Sequence, residues 1–352
     1  MKIGIVGKPS SGKSTFFKAA TLIDVKIGNF PFTTIEPNKG VGFVRVECVE
    51  KFFNVKCNPR QGYCIDGNRF VPVDLIDVAG LVPGAHEGRG MGNKFLDDLR
   101  QADALIHVVD ASGTTDSEGR ECIEHNPAED VKFLEDELNY WFRSIIEKNW
   151  RKMNDIKCLA KQLSGLKVSE KMITDIVKKL NLDETVKSWD EEKRLIFSKE
   201  VRKQVQPILV VANKIDKPEA DKYVDELIKL GAIPCSAEAE FALKAAAKNN
   251  LIKYLPGDSR FEIIGDVTEK QKFALEKIKI LLDRFGSTGV QKVINDSVFD
   301  VLKYITIFPG GVKKLSDKDG NVLPDTFLMP PGSTALDFAY RIHEDFGKKF
   351  IT

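Results

Sequence analysis

The chain has 352 residues, which is more than one compact core ordinarily holds, so two or three domains are expected. Its 53 basic and 52 acidic side chains give a formal net charge of +1, which excludes a polycation built to coat nucleic acid but allows a local basic patch. No apolar run approaches the roughly 20 residues that a membrane-spanning helix needs, so no membrane association is expected.

The first residues, MKIGIVGKPS, change from alternating apolar character to a Gly/Ser/Pro stretch, and a helical run begins near Lys13. This pattern predicts a strand, a loop and a helix rather than a signal peptide. Further buried strands are predicted at residues 70–77, 104–110 and 207–213, where short apolar runs end in polar residues. Because helical segments separate them, the predicted fold class is α/β, with a doubly wound, mostly parallel sheet covered by helices.

Three cysteines, Cys48, Cys57 and Cys64, lie close together in the sequence. Zinc sites usually pair cysteines two to four residues apart, whereas these gaps are wider and no histidine is near. The spacing therefore favours free thiols on a strand–loop segment, and a metal site stays the alternative. The full set of six cysteines, with no framework spacing, predicts a reducing compartment, the cytoplasm.

About a hundred residues separate the predicted strands at 104–110 and 207–213, far more than a crossover helix requires. Residues 126–206 are rich in charge, with apolar residues at helical intervals in two stripes. The stripes comprise Phe133, Leu134, Leu138, Trp141, Phe142, Ile145 and Ile146, and then Ile173, Ile176, Val177 and Leu180. We predict an inserted helical domain, a hairpin of helices, whose stripes serve packing rather than ligand binding.

The next elements predicted are a helix at 220–230, a strand ending at Cys235 and a helix near 237–249. Thr268 followed by Gln271 is a capping-box pattern, which predicts a helix extending to about Phe285.

From Tyr304 the pattern changes to YITIFPGG, a turn at DKDGN and a final helical stretch. This predicts a hairpin and a helix in a small α+β domain that looks incomplete at Thr352. The predicted domains are residues 1–125 with 207–303, residues 126–206, and residues 304–352.

Residues 7–14, GKPSSGKS, match G-x-x-x-x-G-K-[ST] in full, with a predicted strand before them and a helix after. Glycines let the backbone wrap closely around phosphates, and successive N–H groups at the helix N-terminus supply positive potential. This context predicts a P-loop NTPase in which Lys13 reaches the β- and γ-phosphates, Ser14 ligates Mg²⁺ and Thr15 bonds the α-phosphate. The predicted nucleotide-contacting residues here are Gly7, Lys8, Pro9, Ser10, Ser11, Gly12, Lys13, Ser14 and Thr15.

The segment DVAG, residues 77–80, follows an apolar strand. Asp77 is predicted to hold Mg²⁺ through water, and Gly80 to offer its N–H to the γ-phosphate. Between the two motifs lies PFTTIEP, in which Thr34, or failing that Thr33, is predicted to ligate Mg²⁺ when the γ-phosphate is present. A simple turn and a Pro-bounded strand connection are the alternatives for these two segments.

The segment NKID, residues 213–216, follows the apolar strand PILVVA. The Asp216 carboxylate can accept hydrogen bonds from guanine N1–H and the 2-amino group, a pair of donors that adenine lacks. Lys214 is predicted to lay its alkyl chain along the base, and Asn213 to brace the loop. Ser236 and Ala237, after a further strand, are predicted to present a backbone N–H to guanine O6.

These motifs, together with NFPFTTIEPNKG and DVAGLVPGAHEGRGMGNKFLDDLRQADALIHVVDAS, resemble the Obg-like GTPases, specifically the YchF subfamily in its archaeal form. The resemblance covers nearly the whole chain and implies a helical insertion in the GTPase domain and a C-terminal TGS domain of β-grasp fold. It also implies that Thr34 is the nucleotide-sensing threonine and that the protein associates with ribosomes and translation.

Leu81 stands where many GTPases carry a water-orienting glutamine, so slow unaided hydrolysis is predicted. His86 could assist, although a surface histidine without a catalytic role is the favoured interpretation. Relatives with a degenerate base motif use ATP, but NKID is intact here. Some potassium-activated GTPases have asparagine in the P-loop where this chain has Ser10, which leaves potassium activation in doubt.

The predicted function is a regulatory, Mg²⁺-dependent GTPase that binds GTP and GDP, acts on ribosomes or RNA, and is monomeric. Basic pairs at 178–179, 313–314 and 348–349 fit RNA contacts and solvated surfaces equally well. A nucleotide-gated binding module with incidental hydrolysis is the alternative. A small-molecule kinase using the same P-loop is disfavoured by NKID and DxxG.

Overall fold

A computed structural model of the chain describes residues 1–21, 39–78, 99, 101–148, 150, 153–166, 168–310 and 314–350. Its main sheet has seven strands: β1 (Lys2–Val6), β2 (Lys39–Glu47), β3 (Tyr63–Ile65), β4 (Asn68–Asp77), β5 (Ala104–Asp110), β6 (Ile208–Asn213) and β7 (Ile233–Pro234). They lie in the order β2-β4-β1-β5-β6-β7, with β3 also paired to β4.

Strands β4, β1, β5, β6 and β7 are parallel neighbours, while β2 and β3 run antiparallel to β4. The predicted mostly parallel sheet is therefore confirmed, but β2 and β3 were not anticipated. The parallel order brings the carboxyl ends of β1, β4, β5 and β6 to one edge, the location where doubly wound folds bind ligands.

Helices cover both faces of this sheet. On one face lie α1 (Lys13–Thr21) and two later helices, Ala237–Lys248 and Val290–Asp296, around a core that includes the fully buried Phe16. The other face packs against the helices of residues 127–205, through residues such as Leu134 and Leu105. A short helix, α2 (Glu50–Phe53), follows β2.

Four helices follow β5: α3 (Pro127–Glu147), α4 (Ile156–Leu163), α5 (Glu170–Lys179) and α6 (Glu191–Val205). Each helix is capped at its N-terminus by a side-chain oxygen that accepts a hydrogen bond from a backbone N–H of the first turn. The capping residues are, in order, Asn126, Asp155, Ser169 and Asp190. The long helices α3 and α6 pack together, with α4 and α5 between them in sequence. The helical content is as predicted, but it is a four-helix unit rather than a single hairpin.

The second half of the chain adds α7 (Val224–Lys229), α8 (Ala237–Lys248), α9 (Glu269–Phe285), α10 (Val290–Asp296) and the small pair β8 (Ile252–Lys253) and β9 (Glu262–Ile263). The Thr268–Gln271 capping box opens α9 as predicted. The helix predicted at 220–230 is instead a 3₁₀ turn, Pro218–Lys222, followed by α7, because Tyr223 has φ −118° between them.

The C-terminal residues form the antiparallel pair β10 (Ile305–Ile307) and β11 (Phe327–Met329), followed by α11 (Ala335–Ile342) and α12 (Glu344–Lys348). This confirms the predicted hairpin and helix. The three predicted domain boundaries stay predictions. Within the part of the chain that the structure describes, no helix has the length and apolarity to cross a membrane.

Candidate nucleotide-binding site

The loop after β1 has the backbone conformation that its sequence predicts. Gly12 has φ +76° and Ser10 has φ +60°, two left-handed residues that turn the chain before α1 starts at Lys13. A Cβ atom on Gly12 would lie 2.5 Å from Asn213 Nδ2, so only glycine fits there without displacing the amide. The hydroxyl oxygen of Ser11 is buried and has no hydrogen-bond partner among the described residues, which leaves it able to bond a ligand.

The Lys8 side chain turns away from the loop and is buried, with 3% of the residue exposed. Its Nζ donates to the Thr115 carbonyl oxygen at 2.7 Å and forms an ion pair with Asp130 Oδ2 at 2.8 Å. Asp130 lies in the first turn of α3, and its other oxygen is 2.8 Å from His125 Nε2. Lys8 was predicted to contact nucleotide, but its ammonium is committed to this ion pair, so only its backbone faces the loop.

Lys13, Ser14 and Asp77 meet at the ends of β1 and β4. Ser14 Oγ donates to Asp77 Oδ2 at 3.3 Å, and Lys13 Nζ bridges the loop to the Lys8 carbonyl oxygen at 3.4 Å. Burial lowers the pKa of Lys13, and the charge of Asp77 opposes that shift. Burial also raises the pKa of Asp77, against the opposing effects of Lys13 and Ser14. The second oxygen, Asp77 Oδ1, is buried without a partner among the described residues.

Asn213, at the end of β6, joins three parts of the site. Its Nδ2 donates to the carbonyl oxygens of Ser11 and Gly12 at 3.1 and 3.3 Å, and its Oδ1 accepts from Ala237 N at 3.1 Å. Asn213 is 2% exposed, so these bonds are shielded from water. The predicted bracing by Asn213 thus extends to the P-loop on one side and α8 on the other.

Lys214 has φ +68° and spans from β6 to the P-loop. Its Nζ donates to the Ser10 carbonyl oxygen at 2.7 Å and to Asp110 Oδ2 at 2.6 Å. Burial alone would raise the pKa of Asp110, but hydrogen bonds from Lys214, Ser112 and Thr115 outweigh it and lower that pKa. Asp110 is therefore an ionised anchor that fixes the Lys214 side chain in an extended position.

The Asp216 carboxylate is held by Ser236, whose Oγ donates to Asp216 Oδ1 at 2.6 Å and accepts from Ala239 N at 3.1 Å. The Ser236 N–H donates to the Thr288 carbonyl oxygen at 2.9 Å, and the Ala237 N–H is taken by Asn213. That Ser236 and Ala237 present a backbone N–H to guanine O6 stays a prediction. Both N–H groups already have internal partners, so a base contact would have to share one of them.

A cavity of about 570 Å³ lies beside Lys214 and the tip of the P-loop. The loop of residues 114–122 forms its far wall, and Gly119 packs so closely that a Cβ atom there would lie 2.6 Å from the Pro9 carbonyl oxygen. The cavity is lined by Ser10, Thr114, Thr115, Gly119, Glu121, Cys122, Lys214, Lys217 and Glu219. Asp216, Lys13 and Asp77 are not among its lining residues, so the cavity lies beside the predicted nucleotide contacts rather than among them.

Several predicted residues lie outside the described part of the chain. These are Thr33, Thr34, Gly80, Leu81 and His86. Their roles stay predictions. The described members meet at one edge of the sheet, on the last residues of β4 and β6, on the loops after β1 and β6 and in the first turn of α1. They are Gly7, Pro9, Ser10, Ser11, Gly12, Lys13, Ser14, Thr15, Asp77, Asn213, Lys214 and Asp216.

Sequence reasoning missed Asp110 and Asp130 as parts of the site. Asp110 had a usable signal, since it is an acid at the end of a fully buried strand whose neighbours also end at the site. Asp130 had none, because its proximity to the P-loop depends on how α3 packs across the sheet.

The Gly12 position leads to a stability prediction. We expect Gly12→Ala to lower the free energy of unfolding by about 2–3 kcal/mol, because the new Cβ combines left-handed strain with a contact on Asn213. Gly231 is the matched control: its φ is +86° and nothing lies within 4 Å of a Cβ built there. Gly231→Ala should cost only the strain, about 1 kcal/mol. Urea unfolding measures both; equal losses would show that the Asn213 contact is unimportant.

Three family models match the chain. The description "50S ribosome-binding GTPase" matches residues 2–137, "Obg-like GTPase YGR210-like, G4 motif-containing domain" matches 211–311, and "TGS domain" matches 312–352. Together they match most of the sheet, the first half of α3 and the C-terminal hairpin and helices, and they leave residues 138–210 unmatched.

Relatives that match over nearly the whole chain also carry GTP-binding or YchF names. The chain is 50% identical to an uncharacterized GTP-binding protein of Methanocaldococcus jannaschii, covering 99% of this chain and 92% of that protein. It is 30% identical to the ribosome-binding ATPase YchF of Bacillus subtilis, covering 99% and 86%. A crystal structure of a GTP-binding protein from Pyrococcus horikoshii is similar at TM-score 0.77 and 39% identity, covering 100% and 92%.

Proposed function

Because the chain belongs to the Obg-like GTPases of the YchF type, we propose that it is a Mg²⁺-dependent GTPase of the cytoplasm that acts on ribosomes and hydrolyses GTP slowly without a partner. The observation that carries the proposal is the coupling of the base loop to the phosphate loop. Asn213 and Lys214 together donate to three consecutive P-loop carbonyl oxygens, those of Ser10, Ser11 and Gly12.

GTP is the proposed nucleotide, although relatives at about 30% identity carry the name ribosome-binding ATPase. In this chain Asp216 follows Asn213 and Lys214 in an intact NKID, and Ser236 orients its carboxylate. A carboxylate in that place accepts hydrogen bonds from two guanine donors that adenine does not have.

The donor set at Ser14 and Asp77 fits Mg²⁺. A hydroxyl and a carboxylate are hard oxygen ligands of the kind that this ion takes alongside substrate phosphates. Asp77 Oδ1 is buried and has no partner in the described ranges, which supports the assignment, because a bound ion or its water would satisfy that oxygen. When bound, Mg²⁺ would neutralise charge on the phosphates, while Lys13 stabilises charge on the β- and γ-phosphates.

The chain's own residues explain why hydrolysis should be slow. Lys13 and the P-loop N–H groups position and stabilise the phosphates, but Leu81, at the position after the DxxG glycine, has no polar group to orient water. A partner that completes the site would therefore be needed for useful turnover.

The ribosome is the proposed partner because the relatives carry that name. The described basic pairs are at the ends of α5 and α12, and Lys179 is also ion-paired with Glu200 at 2.6 Å. A nucleotide-gated ribosome-binding module, in which hydrolysis is incidental, is the second candidate, and Leu81 favours it.

Single-turnover hydrolysis of GTP, measured with and without ribosomes, separates the two candidates. We expect a rate of roughly 10⁻³ s⁻¹ or slower alone, abolished by EDTA, and at least a tenfold increase with ribosomes. Lys13→Ala should remove both rates and so excludes a contaminating NTPase. If ribosomes bind the GTP-loaded chain but leave its rate equal to that of free GTP, the enzyme proposal fails and the binding module stands.

A further inference from the structure

The structure brings Cys48, Cys57 and Cys64 together with Glu50, although the sequence separates them widely. One ligand atom from each of the four residues lies within 4.8 Å of every other. We refer to these four residues as the cysteine cluster. The cluster lies near the start of β4, where Cys64 pairs in register with Arg69, whereas Asp77 is at the other end of that strand.

The local fold explains the convergence. Cys48 follows the end of β2, Glu50 opens α2, and Cys64 lies in β3. The Asp66–Gly67 turn, with φ +49° and +73°, joins β3 to β4 as a tight hairpin, and Cys48 N donates to the Gly67 carbonyl oxygen at 2.9 Å.

Two of the six distances between the candidate ligand atoms match edges of a zinc tetrahedron, and all six are within 4.8 Å. Cys48 Sγ and Cys57 Sγ are 3.7 Å apart, and Cys64 Sγ is 3.5 Å from Glu50 Oε1. Zn–S and Zn–O bonds of about 2.3 and 2.0 Å at tetrahedral angles give edges of about 3.8 Å between two sulfurs and about 3.5 Å between sulfur and oxygen. Soft thiolates select Zn²⁺ over Mg²⁺ or Ca²⁺.

A second observation supports a bound cation with anionic ligands. Arg69 pairs in register with Cys64 and is fully buried, and its Nε and Nη1 have no hydrogen-bond partner among the described residues. One Zn²⁺ with three thiolates and one carboxylate carries a net charge of −2, which a buried guanidinium offsets in part.

We propose that the cysteine cluster is a structural zinc site with Cys48, Cys57, Cys64 and Glu50 as its four ligands. Four protein ligands close the coordination sphere, which is typical of structural rather than catalytic zinc. The site is separate from the nucleotide site and does not depend on the proposed GTPase activity.

The hydrogen bonds from residues 58–69 to residues 322–324 indicate which part of the fold a bound metal would stabilise. Asn58 N and Arg60 N donate to the carbonyl oxygens of Val322 and Pro324 at 2.8 and 2.9 Å, and Arg69 Nη2 donates to that of Leu323 at 2.6 Å. Cys48 and Cys57 share an apolar cluster with Leu323. Zinc at the cysteine cluster would therefore fix the surface on which residues 322–324 of the C-terminal domain dock.

Elemental analysis of the full chain, purified under reductant and loaded with excess Zn²⁺ before desalting, tests the proposal. We expect about one zinc per chain. Cys57→Ser should lose it, while Cys158→Ser, which changes a partly exposed cysteine on α4 outside the cluster, should keep it. Glu50→Gln should weaken zinc binding by roughly tenfold or more in a chelator competition.

Two further measurements keep the test decisive if Cys57→Ser fails to fold. Wild-type chain loaded with Co²⁺ should show the visible bands of tetrahedral cobalt and a sulfur-to-cobalt charge-transfer band. Chelator treatment should increase amide hydrogen exchange at Asn58 and Arg60 but not in α8. A chain that takes up neither metal, that binds iron in preference to zinc, or that forms a Cys48–Cys57 disulfide after zinc loading would overturn the proposal.

Discussion

Asp216→Asn should reverse the base preference of the protein, with GTP affinity falling roughly hundredfold or more. The asparagine keeps an oxygen that accepts guanine N1–H, but its amide N–H₂ meets the guanine 2-amino group, so two donors face each other. Xanthine carries a carbonyl at that position, and the variant amide donates to it. Xanthosine triphosphate should therefore bind the variant well and the wild-type carboxylate poorly.

Competition against a fluorescent guanine nucleotide measures these affinities for GTP, ATP and xanthosine triphosphate. Asp225→Asn is the matched control, since it removes a charge from the exposed side of α7 and should change none of the three. If ATP binds the wild-type chain as tightly as GTP does, the base-recognition argument is wrong whatever the variant does.

The sequence was sufficient to predict the parts of the site that depend on local order along the chain. The P-loop, the strand ends at Asp77 and Asn213, and the Thr268 capping box each couple a residue type to a backbone geometry within a few positions. These local structures can be predicted from sequence because few residue types other than glycine adopt positive φ, and few side chains can cap a helix.

What the sequence could not provide depends on long-range packing. β2 contains two glycines among its alternating residues, and its pairing with β4 decides that it is a strand. The cysteine cluster is similar: gaps typical of free thiols in the sequence become contacts only when β2, α2 and the β3–β4 hairpin fold together. Likewise, the pairing of Lys8 with Asp130 joins residues more than a hundred positions apart.

That ion pair is where we expect the largest loss of stability. Asp130→Asn should lower the free energy of unfolding by about 3–5 kcal/mol, because it leaves the Lys8 ammonium buried without its counter-charge. Asparagine preserves the shape of the side chain, so the loss reports the charge. Because Lys8 belongs to the P-loop, nucleotide affinity should fall as well. Urea unfolding gives the first quantity and nucleotide titration the second.

Glu129→Gln is the matched control, since Glu129 is an exposed acid in the same first turn of α3. It shares the interaction with the helix dipole, which contributes about 0.3–1 kcal/mol, but has no contact with Lys8. The double variant Lys8→Met with Asp130→Leu should recover at least half of the stability that Asp130→Asn loses, because apolar replacement of both partners removes the unpaired charge. An Asp130→Asn loss no larger than that of Glu129→Gln would mean that the pair is solvated in solution, and that α3 does not anchor the P-loop through Lys8.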